Sequence, residues 1–394
     1  MGGGEAREQF AQKTTRRDAL KRLGGATIIG GALSTLPISV QATRTSKQDD
    51  WPMFKYDTAR TSHSRRSKRP RKSSRELWRT THLGSGTSPA VVDGIVYHGS
   101  RNHQLYAYDV DDGSVLWASE AEASLDPSRP SVANGIVYDG DIAGYLNAFN
   151  AQTGDLLWRF DTGEGQLSSG AVVANGMAFF GSFTGVLYAV NATTGDEHWR
   201  VETGGIIDHS PAYHNGTVYI SSTDRHMYAI DGGTGTIKWM SPLPGGDRPR
   251  GFAVSDGSIY VGGQGGFYAL DSADGSNRWQ FDSGWVTNSP TVSDRFVYFG
   301  SNRNYVYAVE RKSGEEQWRF ALGDARFDGI ISSPALVRNS LYFGSYDHNI
   351  YALNAKTGTL QWAYDTGSEL TGSPAVVNRN LYIGIRLGGI LALG

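Results

Sequence analysis

A chain of 394 residues with 51 Gly, 45 Trp, Tyr and Phe and no Cys can bury a sizeable core, and it excludes disulfides, thiolate metal sites and Cys-linked haem. Its formal charge of −2 conceals an acidic body, with 20 Lys and Arg against 32 Asp and Glu from Leu77 onward. That balance argues against a nucleic-acid-binding surface.

In chain order, the first element is an export signal. Arg16 and Arg17 lie in the stretch Thr15–Lys21, an apolar, Gly-rich run follows from Leu23 to Pro37, and Val40-Gln41-Ala42 fits a small-residue cleavage site. Residues 1–42 therefore read as a twin-arginine signal peptide, too short in its apolar run to span a bilayer comfortably. The protein is expected in the periplasm, on the cell surface or secreted. Residues 43–75 read as a lead-in segment and a basic linker, with eight Lys and Arg between Arg60 and Arg75. The linker is expected to be solvated, with peripheral contact to anionic lipid or cell wall as the most it does with a membrane.

A repeat fills the rest. Trp recurs at Trp78, Trp117, Trp158, Trp199, Trp239, Trp279, Trp318 and Trp362, in steps of 39 to 44 residues. Seven of these follow a Gly by four residues, and that Gly follows an Asp, Asn or Glu by four. One copy, from Gly86 to Trp117, reads as four short strands. Ser88–Val92 and Ile95–Tyr97 are joined by Asp93-Gly94, a hairpin signal because both positions favour positive φ. Leu105–Tyr108 and Val115–Trp117 follow. A period near forty with four strands implies an all-β propeller. The tail after Trp362 supplies only three strands, and Glu76–Arg79 offers the fourth. The expectation is an eight-bladed ring of four-stranded antiparallel blades over residues 76–394, closed by pairing between the chain's two ends. A seven-bladed ring with a stray C-terminal segment is the alternative.

The lead-in Ala-x-Asp/Asn-x-x-Thr-Gly-x-x-x-Trp, as in Ala148 to Trp158 and Ala352 to Trp362, resembles the tryptophan-docking repeat of pyrroloquinoline quinone (PQQ)-type propellers. Asp50-Trp51-Pro52-Met53-Phe54 also resembles a segment of that family. The group includes quinoprotein alcohol dehydrogenases and the non-enzymatic scaffold subunit of the outer-membrane β-barrel assembly machine, and the style is nearest to the scaffold (BamB-like) type. The resemblance implies that each Trp packs against the neighbouring blade. For a dehydrogenase it implies long insertions, a carboxylate–Ca²⁺ site beside the quinone and often a vicinal Cys pair.

Short blades, no Cys and no nucleophile with a paired base lead to one functional expectation. The chain reads as a monomeric binding or scaffold module, not an enzyme, with no cofactor, no metal and a protein, peptide or glycan partner. A PQQ-dependent alcohol or sugar dehydrogenase is the alternative. Gly262–Gly266 mimics a dinucleotide loop but lies between strands with no helix to hold a phosphate. Strand order puts the Asp/Asn-Gly and Thr-Gly turns on one face and the variable loops on the other, and variable loops suit recognition. The candidates on that loop face are Arg129, Asp208, His209, Arg225, Arg250, Trp285, Asn288, Arg303, Asp328 and His348. Arg129, Arg248, Arg250 and Arg303 are expected to make a positive spot suited to an anionic ligand.

Overall fold

Eight antiparallel sheets of four strands succeed one another around a ring, and a short 3₁₀ turn at Pro244–Gly246 is the one helical element among the described residues. This computed structural model describes residues 50–394 apart from 66, 71–74, 83–86, 126, 128, 164, 287, 323–331, 371 and 387. The expected signal residues Arg16, Arg17 and Ala42, and the candidate Asp328, lie outside the described residues. Blade 1 is formed by Ala90–Val92, Ile95–Gly99, Gln104–Asp109 and Val115–Glu120, ordered from the ring's axis outward. Blades 2 to 7 repeat that order.

The ring closes through blade 8. Glu76–Arg79 pairs antiparallel with Ile390–Leu393, placing Trp78 opposite Ala392 and Arg79 opposite Leu391. Arg75 and Gly394 exchange backbone hydrogen bonds of 3.1 and 3.0 Å. The inner strand of blade 1 touches the inner strands of both blade 2 and blade 8. Eight blades are thus present, and no open seam is left between the first and the last.

Local chemistry fixes each blade. Asp93 and Gly94 take φ of 51° and 82°, and Asn134-Gly135, Asn175-Gly176, Asn215-Gly216 and Asp256-Gly257 do the same at the equivalent hairpins. The outer strands alternate exposed and half-buried residues, while the second and third strands are buried almost throughout. In all eight blades the outer strand carries a register shift just before its Trp. A bulge at that point bends the strand and re-aims the side chain that follows. A fully buried Ala stands opposite every Trp and leaves room for the ring.

The indoles then bridge blades. Seven donate their N–H to a backbone carbonyl of the next blade, at 3.0–3.2 Å: Val110, Ala151, Ala192, Gly232, Ser272, Arg311 and Ala355. Beneath each lies that blade's turn Gly, against which a Cβ would come within 3.0 Å of the indole.

The lead-in segment does more than precede the ring. Residues 50–68 run around the turn-face end of the channel and bond to the inner strands in succession. Trp51 exchanges two bonds with Val91, Pro52 O accepts from Val132, Thr58 O from Tyr213, Ala59 O from Val254, Thr61 O from Val292 and Ser62 O from Leu336. His63–Ser64 joins blade 7 as a fifth, parallel strand. Two cations point from this segment into the protein. Lys55, 2% exposed, donates to Ser289 O, Thr291 Oγ1 and Pro334 O at 3.0–3.2 Å. Arg60, 1% exposed, reaches Phe54 O, Gly170 O and Pro211 O. Burial holds the Lys55 ammonium well below its ordinary pKa. With Lys68 O accepting from Arg379 in blade 8, the segment ties all eight blades together and fills one end of the channel.

Candidate functional site

At the other end, one position recurs five residues before each first turn: Ser88, Arg129, Gly170, Ser210, Gly251, Ser289, Ser333 and Ser373. Where Ser is present it links blades. The Gly170 amide donates to Ser210 Oγ, Ser289 to Ser333, Ser333 to Ser373 and Ser373 to Ser88, at 2.8–3.0 Å. Blade 2 breaks the pattern with Arg129. Its guanidinium lies 4.7 Å from the centre of the Phe54 ring, on the inner side of the lead-in segment. Its Nη1 is enclosed and has no hydrogen-bond partner among the described residues. Burial lowers the Arg129 pKa, opposed by the charge of Asp208.

Asp208, on the loop entering blade 4, collects the nearby charges. His209 Nδ1 is 2.7 Å from its Oδ1, Arg248 Nη2 is 3.2 Å from its Oδ2, and Arg250 Nη1 is 4.0 Å from the same oxygen. Burial alone would raise the Asp208 pKa. The His209 hydrogen bond and the two guanidinium charges outweigh it and hold the carboxyl at about 2. Arg250 also stacks 5.6 Å from the Trp285 ring, which is 38% exposed at the rim. Trp285 is anchored by exchanging hydrogen bonds of 2.9 Å with Asn302.

Arg248 faces a second space as well. A cleft of about 570 Å³ between blades 4 and 5 is lined by Arg225, Asp247, Arg248, Gln264, Gly265 and Tyr268, among others. Asp247 accepts from the Gln264 and Gly265 amides at 2.8 and 2.7 Å and from the Tyr268 hydroxyl at 3.1 Å. The glycine run that resembles a phosphate loop is thus folded around an internal carboxylate. A Cβ at Gly263 would sit 2.2 Å from Asp247 Oδ2, so only Gly fits there.

The structure brings together Arg129, Asp208, His209, Arg250 and Trp285, and places Arg225 beside them through the cleft. It separates the other candidates. Asn288 is buried and bridges to the Gly300 backbone. Arg303 is half-exposed beside Gly284 and pairs with Asp282 at 2.9 Å. His348 offers its carbonyl to Thr366. Asp247 and Tyr268 are not apparent from the sequence, since their roles depend on a contact across a loop. The one signal the sequence holds is the aligned repeat itself, in which Arg129 replaces Ser.

A family model described as outer membrane protein assembly factor BamB matches residues 70–145, 142–248 and 240–393. The serine/threonine-protein kinase AfsK of Streptomyces griseus is 31% identical over 123 residues, 28% of this chain and 15% of that protein. The quinohemoprotein alcohol dehydrogenase ADH-IIG of Pseudomonas putida is 34% identical over 139 residues, 29% of this chain and 19% of that one. The chain thus spans less than a fifth of either relative. In solved structures, the quinohemoprotein alcohol dehydrogenase of Comamonas testosteroni superposes with a TM-score of 0.75 at 16% identity, covering 88% of this chain and 80% of its own. BamB from Moraxella catarrhalis gives 0.64 at 21%, covering 82% and 95%. At these identities the fold is what is shared.

These kinships correct one expectation. Short blades and the lack of a nucleophile point away from an enzyme, yet dehydrogenases are among the sequence relatives and the structural neighbours. The repeat is the scaffold of catalytic and non-catalytic proteins alike, so its regularity says nothing about catalysis. A quinone held beside a divalent cation is a separate matter. Among the described residues, no group of three or more His, Asp and Glu could hold a metal ion. The mouth offers Asp208, already engaged by two guanidinium groups, and Glu369 pairs with Arg386. These residues do not fit such a cation.

Proposed function

The chain belongs to the family described as outer membrane protein assembly factor BamB, and from that membership we propose that it is an extracytoplasmic protein-binding propeller that engages its partner with the loop face. It is exported on the Arg16-Arg17 signal. The observation that carries this reading is the asymmetry of the channel. One end is filled by residues 50–68, while the other gathers Arg129, Asp208, Arg248 and Arg250 below the exposed Trp285. Desolvated charge beside an exposed aromatic is the composition of an interface anchor.

Site-specific photocrosslinking in intact cells tests it. A crosslinker replacing Trp285 should yield a discrete adduct, and one replacing Leu360, 50% exposed on an outer strand, should not. Adducts from Leu360 alone would refute the reading. So would dye-linked alcohol oxidation by the purified protein with PQQ and Ca²⁺, which would place the chain with the dehydrogenases.

A further inference from the structure

We infer that the mouth and the adjoining cleft form one binding track for an extended acidic peptide segment with an apolar side chain beside its carboxylates. The inference rests on the loop-face reading above and names the chemistry of the partner.

Four guanidinium groups define the track. Arg129 and Arg250 lie in the mouth, Arg225 lies in the cleft, and Arg248 borders both. Among the described residues they face two carboxylates. Asp208 is shared between Arg248 and Arg250, and Asp247 already accepts from three amides and a hydroxyl. Positive charge therefore exceeds negative, and the donors are incompletely used. Among the described residues, Arg129 Nη1, Arg248 Nε and Arg250 Nε are enclosed atoms with no hydrogen-bond partner. The Arg248 and Arg250 side chains remain 32% and 18% exposed, so a ligand carboxylate can reach their guanidinium groups from the mouth. All four cations are Arg, whose planar fork matches a carboxylate with two parallel hydrogen bonds.

The rest of the surface narrows the ligand. With 32 acidic against 20 basic residues from Leu77 onward, the body repels a long polyanion. A short acidic segment meets only the local positive field. The charges extend from the mouth into an open cleft, so an extended chain can reach them together. Trp285, stacked on Arg250, puts an apolar surface next to a carboxylate site. An apolar residue flanking the acidic ones fits that pairing.

Fluorescence anisotropy on the purified full chain decides it. The probe is a short fluorescein-labelled peptide alternating Glu and Leu, compared with its Gln and Leu counterpart and challenged with citrate. The acidic peptide should bind, and raising the salt should weaken it. The R248Q/R250Q double variant should raise Kd about tenfold or more. R319Q, on an outer strand beside Glu316, should change nothing. W285A should weaken binding while leaving the salt dependence intact. A single cooperative melting transition establishes that the variants are folded. Equal binding of the Gln peptide, an unchanged Kd in the double variant, or citrate binding as tightly as the peptide each overturns the inference. Failure of the acidic peptide while Trp285 crosslinks persist overturns this inference alone; loss of both overturns the loop-face reading as well.

Discussion

Replacing Trp199 by Ala tests the physical basis of the ring. The indole is 9% exposed, 5.7 Å from the Phe179 ring, and its N–H donates to Gly232 O of the next blade at 3.2 Å. Burying such a side chain removes ~150–250 Å² from water, or about 4–6 kcal/mol at ~25 cal/mol per Å² before entropy. Part of that is recovered as the blades relax, so Trp199→Ala should cost about 3–5 kcal/mol. Trp199→Phe keeps most of the apolar contact and loses the hydrogen bond, for about 1–2 kcal/mol. Gly235→Ala attacks the same joint from the other side. Its φ is +75°, and the new Cβ would lie 2.9 Å from the Trp199 ring, for about 2–4 kcal/mol. Urea titration followed by far-ultraviolet circular dichroism reads all three. If Trp199→Ala leaves the midpoint in place, or Trp199→Phe is as damaging as Trp199→Ala, the indoles do not hold the blades together as described.

Three further outcomes follow from individual contacts. Asp208 is held at about 2 in the folded protein, below the ordinary carboxylate value near 4, so its stabilisation is present above about pH 4 and lost as pH falls toward 2. Asp208→Asn should remove on the order of 1–2 kcal/mol of that acid-dependent loss, seen as a flatter midpoint-versus-pH curve. Lys55→Met takes the ammonium donor from Ser289 O and Thr291 Oγ1, while Pro334 O keeps its bonds from Ser62 and Thr291, and should lower stability by about 1–3 kcal/mol in the same urea assay. Arg379 stands at φ of 74°, and its backbone N–H bonds Lys68 O; Arg379→Gly keeps that bond and should raise stability by about 1 kcal/mol in thermal unfolding.

The blades were legible because their causes are local and repeated. A Gly four residues before a Trp, and an Asn-Gly or Asp-Gly pair between two short strands, act within a few residues of where they stand. Closure was legible by subtraction, since three C-terminal strands lacked a fourth. The lead-in segment was hidden for the opposite reason. Its bonds reach from Trp51 to Val91 and from Ser62 to Leu336, and no period in residues 50–68 announces them. That segment also reaches the first turns of blades 7 and 8, where Arg338-Asn339 and Asn378-Arg379 stand in place of Asn-Gly. Arg338 and Arg379 hold left-handed conformations while their amides bond to Ser64 O and Lys68 O. Part of the positive mouth was visible as Arg residues in variable loops. Which of those Arg converge was not, because Arg303 and Arg250 look alike in sequence and differ in having Asp282 or Asp208 beside them.

The central claim is that partners are taken at the loop face because the opposite end of the channel is already filled. Amide hydrogen exchange on the full chain, free and with a captured partner bound, addresses it directly. Protection should rise in residues 205–209, 246–251 and 284–286, and stay level at the Asp93-Gly94 and Asn134-Gly135 turns. Protection confined to those turns, with the Arg250 and Trp285 loops unchanged, would contradict it.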